Sequence, residues 1–239
     1  MGGPAQSIDD YDDGAIVVDL YLEHIHQEGH NISQLLAVAS IRDFLSYEES
    51  DWNTRKDHGW SKDKRIAMKV QCDAIIGNPV WRDRAMEGLQ SSSELEFYNA
   101  ERAAQVLGID TWKFHWERVE QSPLESGRWY HVMRHCDDKR IEETLGLAVK
   151  CLPLNQISTG PAMETGLGLE WQPHSCLDFI LQELRRFPGK GIELIEVGLR
   201  SPVIRNRNMA LKALSEWDKD VWPDSVDPFL QQALSDEPD

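Results

Sequence analysis

Apolar residues recur along most of the chain at spacings of three and four positions, which is the period of an amphipathic helix. No segment shows the alternation of β-branched and polar residues that is typical of a strand. The pattern therefore predicts eleven or twelve helices with short connections, and an all-α protein. The expected helices are a first one from residue 16 and then, approximately, 31–45, 61–76, 79–89, 91–107, 110–120, 127–135, 138–151, 174–187, 190–200, 202–217 and 225–235.

Capping signals support several of these bounds. Asn31 is followed three positions later by Gln34, and Ser91 by Glu94, and both pairs predict a capping box at a helix start. Gly108 is expected to end the helix that begins after Ser91, because glycine readily adopts the left-handed conformation that terminates helices.

Residues 153–173 interrupt the helical period. They include three glycines and three prolines, and they predict a long irregular connection. We therefore expect an acidic flexible tail at 1–14, a single domain at 15–235 that contains this connection, and a short tail at 236–239.

Two of the predicted helices begin with similar segments. Residues 79–86 read Pro-Val-Trp-Arg-Asp-Arg-Ala-Met, and residues 202–209 read Pro-Val-Ile-Arg-Asn-Arg-Asn-Met. One helical hairpin cannot bury its apolar face alone, whereas hairpins stacked side by side share a continuous core. The repeat therefore predicts stacked helical hairpins.

This pattern resembles the HEAT-repeat family, including bacterial HEAT-like proteins, in which the second helix of each hairpin carries arginine, small residues and leucine at fixed spacing. The matching positions are Arg82, Ala85, Gly88 and Leu89 in the first segment, and Arg207, Ala210, Ala213 and Leu214 in the second. The resemblance covers about 61–90 and 190–217, and it implies a right-handed α-solenoid whose second helices line a concave binding face. In such a stack we expect Arg82 and Arg207 to donate hydrogen bonds to a neighbouring hairpin.

The formal net charge is −16, and the acidity lies at the two ends of the chain. Residues 1–51 hold eleven acids and one base, residues 215–239 hold eight acids and one base, and the segment between them is close to neutral. This balance argues against nucleic acid, which binds concentrated lysine and arginine. The acidic ends favour a protein partner with a basic surface.

The four cysteines include no pair with the two-residue spacing of a zinc knuckle or redox motif. No stretch approaches the roughly 20 apolar residues of a membrane span. Residues 1–13 contain no basic residue and no apolar core, so we expect no signal peptide in them. We therefore expect a cytoplasmic protein with reduced thiols and no membrane contact.

His131 and His135 lie four positions apart and face the same side of a predicted helix, which is a possible zinc or iron site. Val132, Met133 and Arg134 stand between them, where a zinc protease has a glutamate. We favour packing between repeats over a metal site for these histidines, and we expect no cofactor. No catalytic triad or phosphate-binding loop is recognisable either.

Nine of the residues are tryptophans, and Trp112 and Trp116 share one face of a predicted helix. Tryptophan is favoured at binding hot spots and also stacks on nucleobases. A groove that combined these tryptophans and Asp110 with Arg82 and Arg84 would resemble HEAT-like alkylpurine DNA glycosylases. A metal-dependent hydroxylase at His131 and His135 is the other enzymatic alternative.

We favour a protein-binding module over these enzymes, because the repeat is visible in the sequence and catalytic motifs are not. The expected binding surface consists of the two tryptophans and the polar positions of the second helices. These polar positions are Arg84, Glu87, Arg205, Asn208 and Lys212. They lie off the apolar stripes made by Trp81, Ala85 and Leu89, and by Val203, Ala210, Leu214 and Trp217.

Overall fold

The computed structural model describes residues 18, 21–25, 31–46 and 62–238. Residues 21–25 are helical, in agreement with the first predicted helix. The predicted acidic tail at 1–14, the start of the first helix and residue 61, where the third helix is expected to begin, lie outside the described residues.

Apart from short connections, the described residues are helical, so the all-α prediction is confirmed. The α-helices are α1 Ile32–Leu45, α2 Lys62–Ile76, α3 Val80–Leu89, α4 Glu94–Val106, α5 Trp112–Gln121, α6 Ser126–Arg134, α7 Ile141–Cys151, α8 Leu154–Ile157, α9 Gln172–Leu184, α10 Ile192–Leu199, α11 Ile204–Ser215 and α12 Val226–Asp236. Two 3₁₀ helices, Leu169–Trp171 and Lys219–Val221, and an isolated bridge between Glu164 and Val203 accompany them. Within this part of the chain, no helix has the length and apolar character that crossing a membrane requires.

One predicted helix start is present and the other is displaced. The capping box of Asn31 and Gln34 opens α1 as expected. The predicted capping box at Ser91 is wrong, because Ser93 caps α4 and accepts a hydrogen bond from the backbone N–H of Glu96 at 3.4 Å. The Ser91 hydroxyl instead donates to the Glu96 carboxylate at 2.5 Å, so this side chain supports the turn before the helix.

The two predicted interruptions of the helical pattern, at Gly108 and at 153–173, differ in their secondary structure. Gly108 follows α4 with a φ of 64°, which is the left-handed conformation expected at a helix end. The predicted irregular connection at 153–173 contains α8 and the 3₁₀ helix Leu169–Trp171, so it is more ordered than its composition indicates. One reason is Ile157, which is fully buried in the core and anchors α8.

The chain divides into two compact units, Met1–Thr111 and Trp112–Asp239. Helices α1–α4 belong to the first unit and α5–α12 to the second. Each unit has a hydrophobic core of its own. The expected single domain at 15–235 stays a prediction.

In the first unit, α3 packs against α4, and α1 packs against α2 and α4. The predicted apolar stripe of Trp81, Ala85 and Leu89 is buried. The indole N–H of Trp81 donates to the carbonyl of Ile75 at 2.7 Å, which links α3 to the end of α2. Burial of the large indole therefore leaves its polar atom paired.

The second unit is organised around α9, which packs against both α6 and α11, while α10 pairs with α11. Four apolar side chains of α9 are completely buried, namely Leu177, Ile180, Leu181 and Leu184. Gly198 of α10 allows this close packing, because a Cβ there would lie 2.6 Å from Cδ1 of Leu181. The predicted stripe of Val203, Ala210, Leu214 and Trp217 is buried as well.

Arg207 is buried at the start of α11 and hydrogen-bonds to three segments. Its guanidinium donates to the carbonyls of Ser201 and Pro202 at 2.9 and 3.2 Å, in the turn before α11. It donates to the carbonyl of Ala162 at 2.8 Å, in the connection before α9, and to the carboxylate of Glu237 at 2.6 Å, after α12. Arg207 therefore donates hydrogen bonds as predicted, but to connecting and C-terminal segments, whereas the prediction named a neighbouring hairpin.

The same prediction is wrong for Arg82. This side chain is exposed and makes no hydrogen bond within the described part of the chain. Arg207 is buried because the connection before α9 and the segment after α12 cross the start of its helix. The spacing of residues within one helix does not show which other segments will cross it.

Arg207→Met is expected to lower the free energy of unfolding by about 3 kcal/mol, because buried carbonyls and a carboxylate lose their shared donor. Urea unfolding followed by circular dichroism measures this change. Arg200→Met is the matched control, since Arg200 is exposed and its ion pair with Glu196 is long, at 3.9 Å. Equal losses in the two variants would contradict the structural role of Arg207.

Candidate functional site

A groove of about 550 Å³ lies between α9, α11 and the connection before α9 in the second unit. Its lining residues are Glu164 and Thr165 from the connection, Gln182 and Arg185 from the end of α9, and Ile204, Arg205, Asn208, Met209 and Lys212 from α11. We call it the α9–α11 groove. Three of the positions predicted for the binding surface, Arg205, Asn208 and Lys212, therefore meet in one place.

Helical geometry explains why α11 contributes these side chains together. Arg205, Asn208, Met209 and Lys212 follow the spacing of three and four positions that places residues on one helix face. The opposite face of α11 carries Ala210, Ala213 and Leu214, which are buried in the core. The core thus fixes the rotation of α11 and directs its polar side chains into the groove.

The α9–α11 groove is cationic. Arg185, Arg205 and Lys212 line it, against the single carboxylate of Glu164. The side chains of Arg185 and Lys212 are exposed and form no hydrogen bond or ion pair with the described part of the chain. Their charges are therefore available to an anionic group that enters the groove.

The third cation, Arg205, is held by a buried carboxylate. Its Nε donates to Oδ2 of Asp178 at 2.6 Å, while the Arg205 side chain remains 60% exposed. Burial raises the pKa of Asp178, and the ion pair with Arg205 opposes that rise. The other oxygen, Oδ1, is buried and accepts no hydrogen bond from the described residues. Asp178 therefore orients Arg205 and neutralises part of its charge.

A buried polar network joins the starts of α9 and α11 behind the groove. The Ser201 hydroxyl donates to Oδ1 of Asn206 at 3.1 Å and accepts from the backbone N–H of Val203 at 3.1 Å. Because its only proton is used on Asn206, the contact of 3.0 Å between Ser201 and Nδ1 of His174 makes the histidine the donor. Asn206 in turn donates to the His174 carbonyl at 2.8 Å, which closes the network between the two helices.

The connection that forms the third wall is held by its backbone. The backbone N–H of Glu164 donates to the Pro202 carbonyl at 3.2 Å, and Ile204 N–H donates to the Glu164 carbonyl at 3.1 Å. Gly166 has a φ of 70°, and a Cβ there would lie 2.8 Å from Cγ1 of Val203. Glycine at this position therefore lets the connection lie directly against the turn before α11.

Arg84 and Glu87, the other two predicted helix positions, lie in the first unit. Both line a separate groove of about 720 Å³. Their side chains are joined to each other by an exposed ion pair of 3.1 Å. Glu96 also lines this groove, so its carboxylates outnumber the cation of Arg84 among the charged lining residues. This groove has no cationic character.

Trp112 and Trp116 pack against the core of the second unit and are partly buried. Their ring centroids are 5.1 Å apart, and the guanidinium of Arg140 lies 5.0 Å from the Trp112 centroid. Neither indole lines either of the two grooves. The contacts of these residues are those of side chains at the edge of a core.

His131 and His135, the candidate metal ligands, stack on a third histidine. The ring of His115 lies 5.2 Å from that of His131 and 4.9 Å from that of His135, with interplanar angles of 9° and 15°. Sequence reasoning missed His115, although its position four residues before the buried Val119 places it on the buried face of α5. The stack joins α5 to α6, and the preference for packing over metal binding at His131 and His135 stays a prediction.

Comparison of the chain with protein-family models, curated proteins and solved structures finds no match. The resemblance to HEAT repeats therefore stays a prediction. A fold alone does not determine a function, which depends on the chemistry of the site.

The burial of His174 in the network behind the groove predicts that the protein is less stable in acid. Burial lowers the pKa of His174 from its usual value near 6.5. As the pH falls below that value, the unfolded chain binds the proton first, so the free energy of unfolding decreases. Chemical unfolding at about pH 7.5 and about pH 5.5 should show a smaller decrease for His174→Gln than for the unmodified protein.

His24→Gln is the control for this measurement, because His24 is exposed. That variant should keep the pH dependence of the unmodified protein. If His174→Gln also keeps it, the buried neutral histidine is not responsible for the acid sensitivity.

Proposed function

We propose that the second unit is a protein-binding module and that the α9–α11 groove holds an acidic segment of the partner. The observation that carries this proposal is the convergence of Arg185, Arg205 and Lys212 on one groove. Two of these cations have no carboxylate partner in the described part of the chain. Guanidinium and ammonium groups form charge-assisted hydrogen bonds with carboxylates, so an acidic segment suits this lining.

The groove is positive within a chain whose net charge is −16. At physiological salt the Debye length is about 8 Å, so distant surface acids are screened while cations inside the groove act at contact distance. Binding is therefore local, and it depends on where the carboxylates of the segment lie. The acidic ends of the chain favour a basic surface on the partner, whereas the groove favours an acidic segment, and one partner can present both.

The packing order of the second unit supports the HEAT-like part of the proposal. In a HEAT stack the second helices of successive hairpins lie side by side, and partners bind along the surface they form. Here α9 packs between α6 and α11, and α11 is the helix with the repeat motif. We propose that these three helices are second helices of HEAT-like hairpins and that the groove belongs to their concave face.

The test is binding of a labelled peptide rich in Asp and Glu, followed by fluorescence anisotropy. The double variant Arg205→Glu/Lys212→Glu should weaken binding at least about tenfold, because two attractive contacts become repulsive. Lys139→Glu/Lys150→Glu is the matched control, since it makes the same change in net charge at exposed positions outside the groove. This control should retain most of the affinity.

The proposal fails if the acidic peptide does not bind the unmodified protein. It also fails if the control weakens binding as much as the groove variant does, because the peptide would then respond to net charge alone. Circular dichroism of both variants verifies that the helices remain intact.

Asp178→Asn is expected to strengthen binding of the acidic peptide, whereas the double variant weakens it. The substitution removes the buried carboxylate that neutralises Arg205, so the acidic peptide should bind about threefold more tightly. Asp218→Asn makes the same charge change at an exposed position and serves as the control. Equal affinities for the two variants would contradict the view that Asp178 weakens binding by neutralising Arg205.

A further inference from the structure

Three large apolar side chains are exposed on the connection that forms one wall of the α9–α11 groove. The exposed fractions of Met163, Leu167 and Leu169 are 65%, 78% and 81%. We call these three residues the apolar rim. Side chains of this kind on a defined surface are typical of a protein–protein contact.

The apolar rim adjoins the groove in the sequence, and this limits how far it can lie from the groove. Met163 directly precedes Glu164, and Leu167 and Leu169 come two and four residues after Thr165. Glu164 and Thr165 both line the groove. A chain spans at most about 3.5 Å per residue, so the Cα atoms of the two leucines lie within roughly 7 and 14 Å of Thr165.

The backbone around the apolar rim is fixed on both sides. The Gly160 N–H donates to the Arg200 carbonyl at 2.9 Å, and the carbonyl of Ala162 accepts from the buried Arg207. At the other end, Trp171 lies 5.0 Å from His174, ring to ring, at the start of α9. The rim is therefore presented at a defined place beside the cations, and a partner does not have to order it first.

We propose that the apolar rim binds large apolar residues of the same acidic segment that the cations hold. This inference rests on the proposed function and names the occupant more closely: a protein segment in which carboxylates alternate with at least two large apolar side chains. Each apolar side chain buried against the rim adds hydrophobic stabilisation to the ion pairs.

An anionic membrane is disfavoured as the occupant by charges on the same connection. Glu164 and Glu170 are both exposed next to the apolar rim, and the chain carries a net charge of −16. A bilayer of anionic lipids would bring negative charge against all of these groups at once. A narrow peptide segment, in contrast, can place its carboxylates on the cations alone.

The experiment compares two labelled peptides of equal length and equal negative charge, one with serine spacers and one with leucine and phenylalanine at some spacer positions. The unmodified protein should bind the apolar version at least about tenfold more tightly. In the variant Leu167→Ser/Leu169→Ser this preference should disappear, while the affinity for the serine version stays unchanged. The control Leu95→Ser/Leu234→Ser replaces two leucines that are 70% and 82% exposed elsewhere, and it should keep the preference.

The outcomes separate the two proposals. If the serine peptide binds through Arg205 and Lys212 but the apolar peptide gains nothing, the rim inference is wrong and the proposed function stands. If neither peptide binds in a manner that depends on those cations, the proposed function is wrong as well. Rim-dependent binding to vesicles of phosphatidylserine and phosphatidylcholine, without binding to either peptide, would overturn the assignment of a protein segment.

Discussion

The guanidinium of Arg207 is the interaction on which the candidate site depends. It binds the connection before α9 through Ala162, the turn before α11 through Ser201 and Pro202, and the segment after α12 through Glu237. The first two segments lead directly into walls of the α9–α11 groove. Arginine suits this position because its planar fork offers several donors in fixed directions, whereas a lysine ammonium is a compact point charge.

A second constraint acts on the helices themselves. The apolar faces of α9 and α11 are buried in one core, and Gly198 allows α10 to approach them closely. With those faces fixed, the polar faces of the two helices must border a common space. The network of Ser201, His174 and Asn206 then holds the starts of the helices together, because each of these three side chains donates a hydrogen bond within it. The groove is thus a consequence of core packing, and its charge comes from the residues left on the outer face.

The helices and part of the groove lining could be predicted from the spacing of residues along the chain. The helical period predicted the elements, and the positions off the apolar stripe predicted Arg205, Asn208 and Lys212, because all of them share one helix. Arg185, Glu164 and the apolar rim were not predicted, since they come from other segments and meet α11 only through tertiary contacts. Similarly, the HEAT-like spacing predicts the same role for Arg82 and Arg207, yet only Arg207 is buried. The start of α4 shows that even a local feature can be ambiguous. Ser91 and Ser93 lie two positions apart and offer the same capping hydroxyl, so the sequence alone does not show which of them caps the helix.

Asp178 shows how the site balances orientation against charge. Burial of this carboxylate, whose Oδ1 accepts no hydrogen bond from the described residues, destabilises the charged form and raises the pKa of Asp178. The ion pair holds Arg205 at its Nε atom and leaves the rest of the guanidinium exposed. Arg185 and Lys212 have no such anchor in the described part of the chain, and their exposed side chains can adjust to the position of a carboxylate. An occupant of the proposed site would meet one oriented donor and two adaptable ones, so we expect Arg205 to define the register of a bound segment and the other two cations to tolerate variation in its sequence.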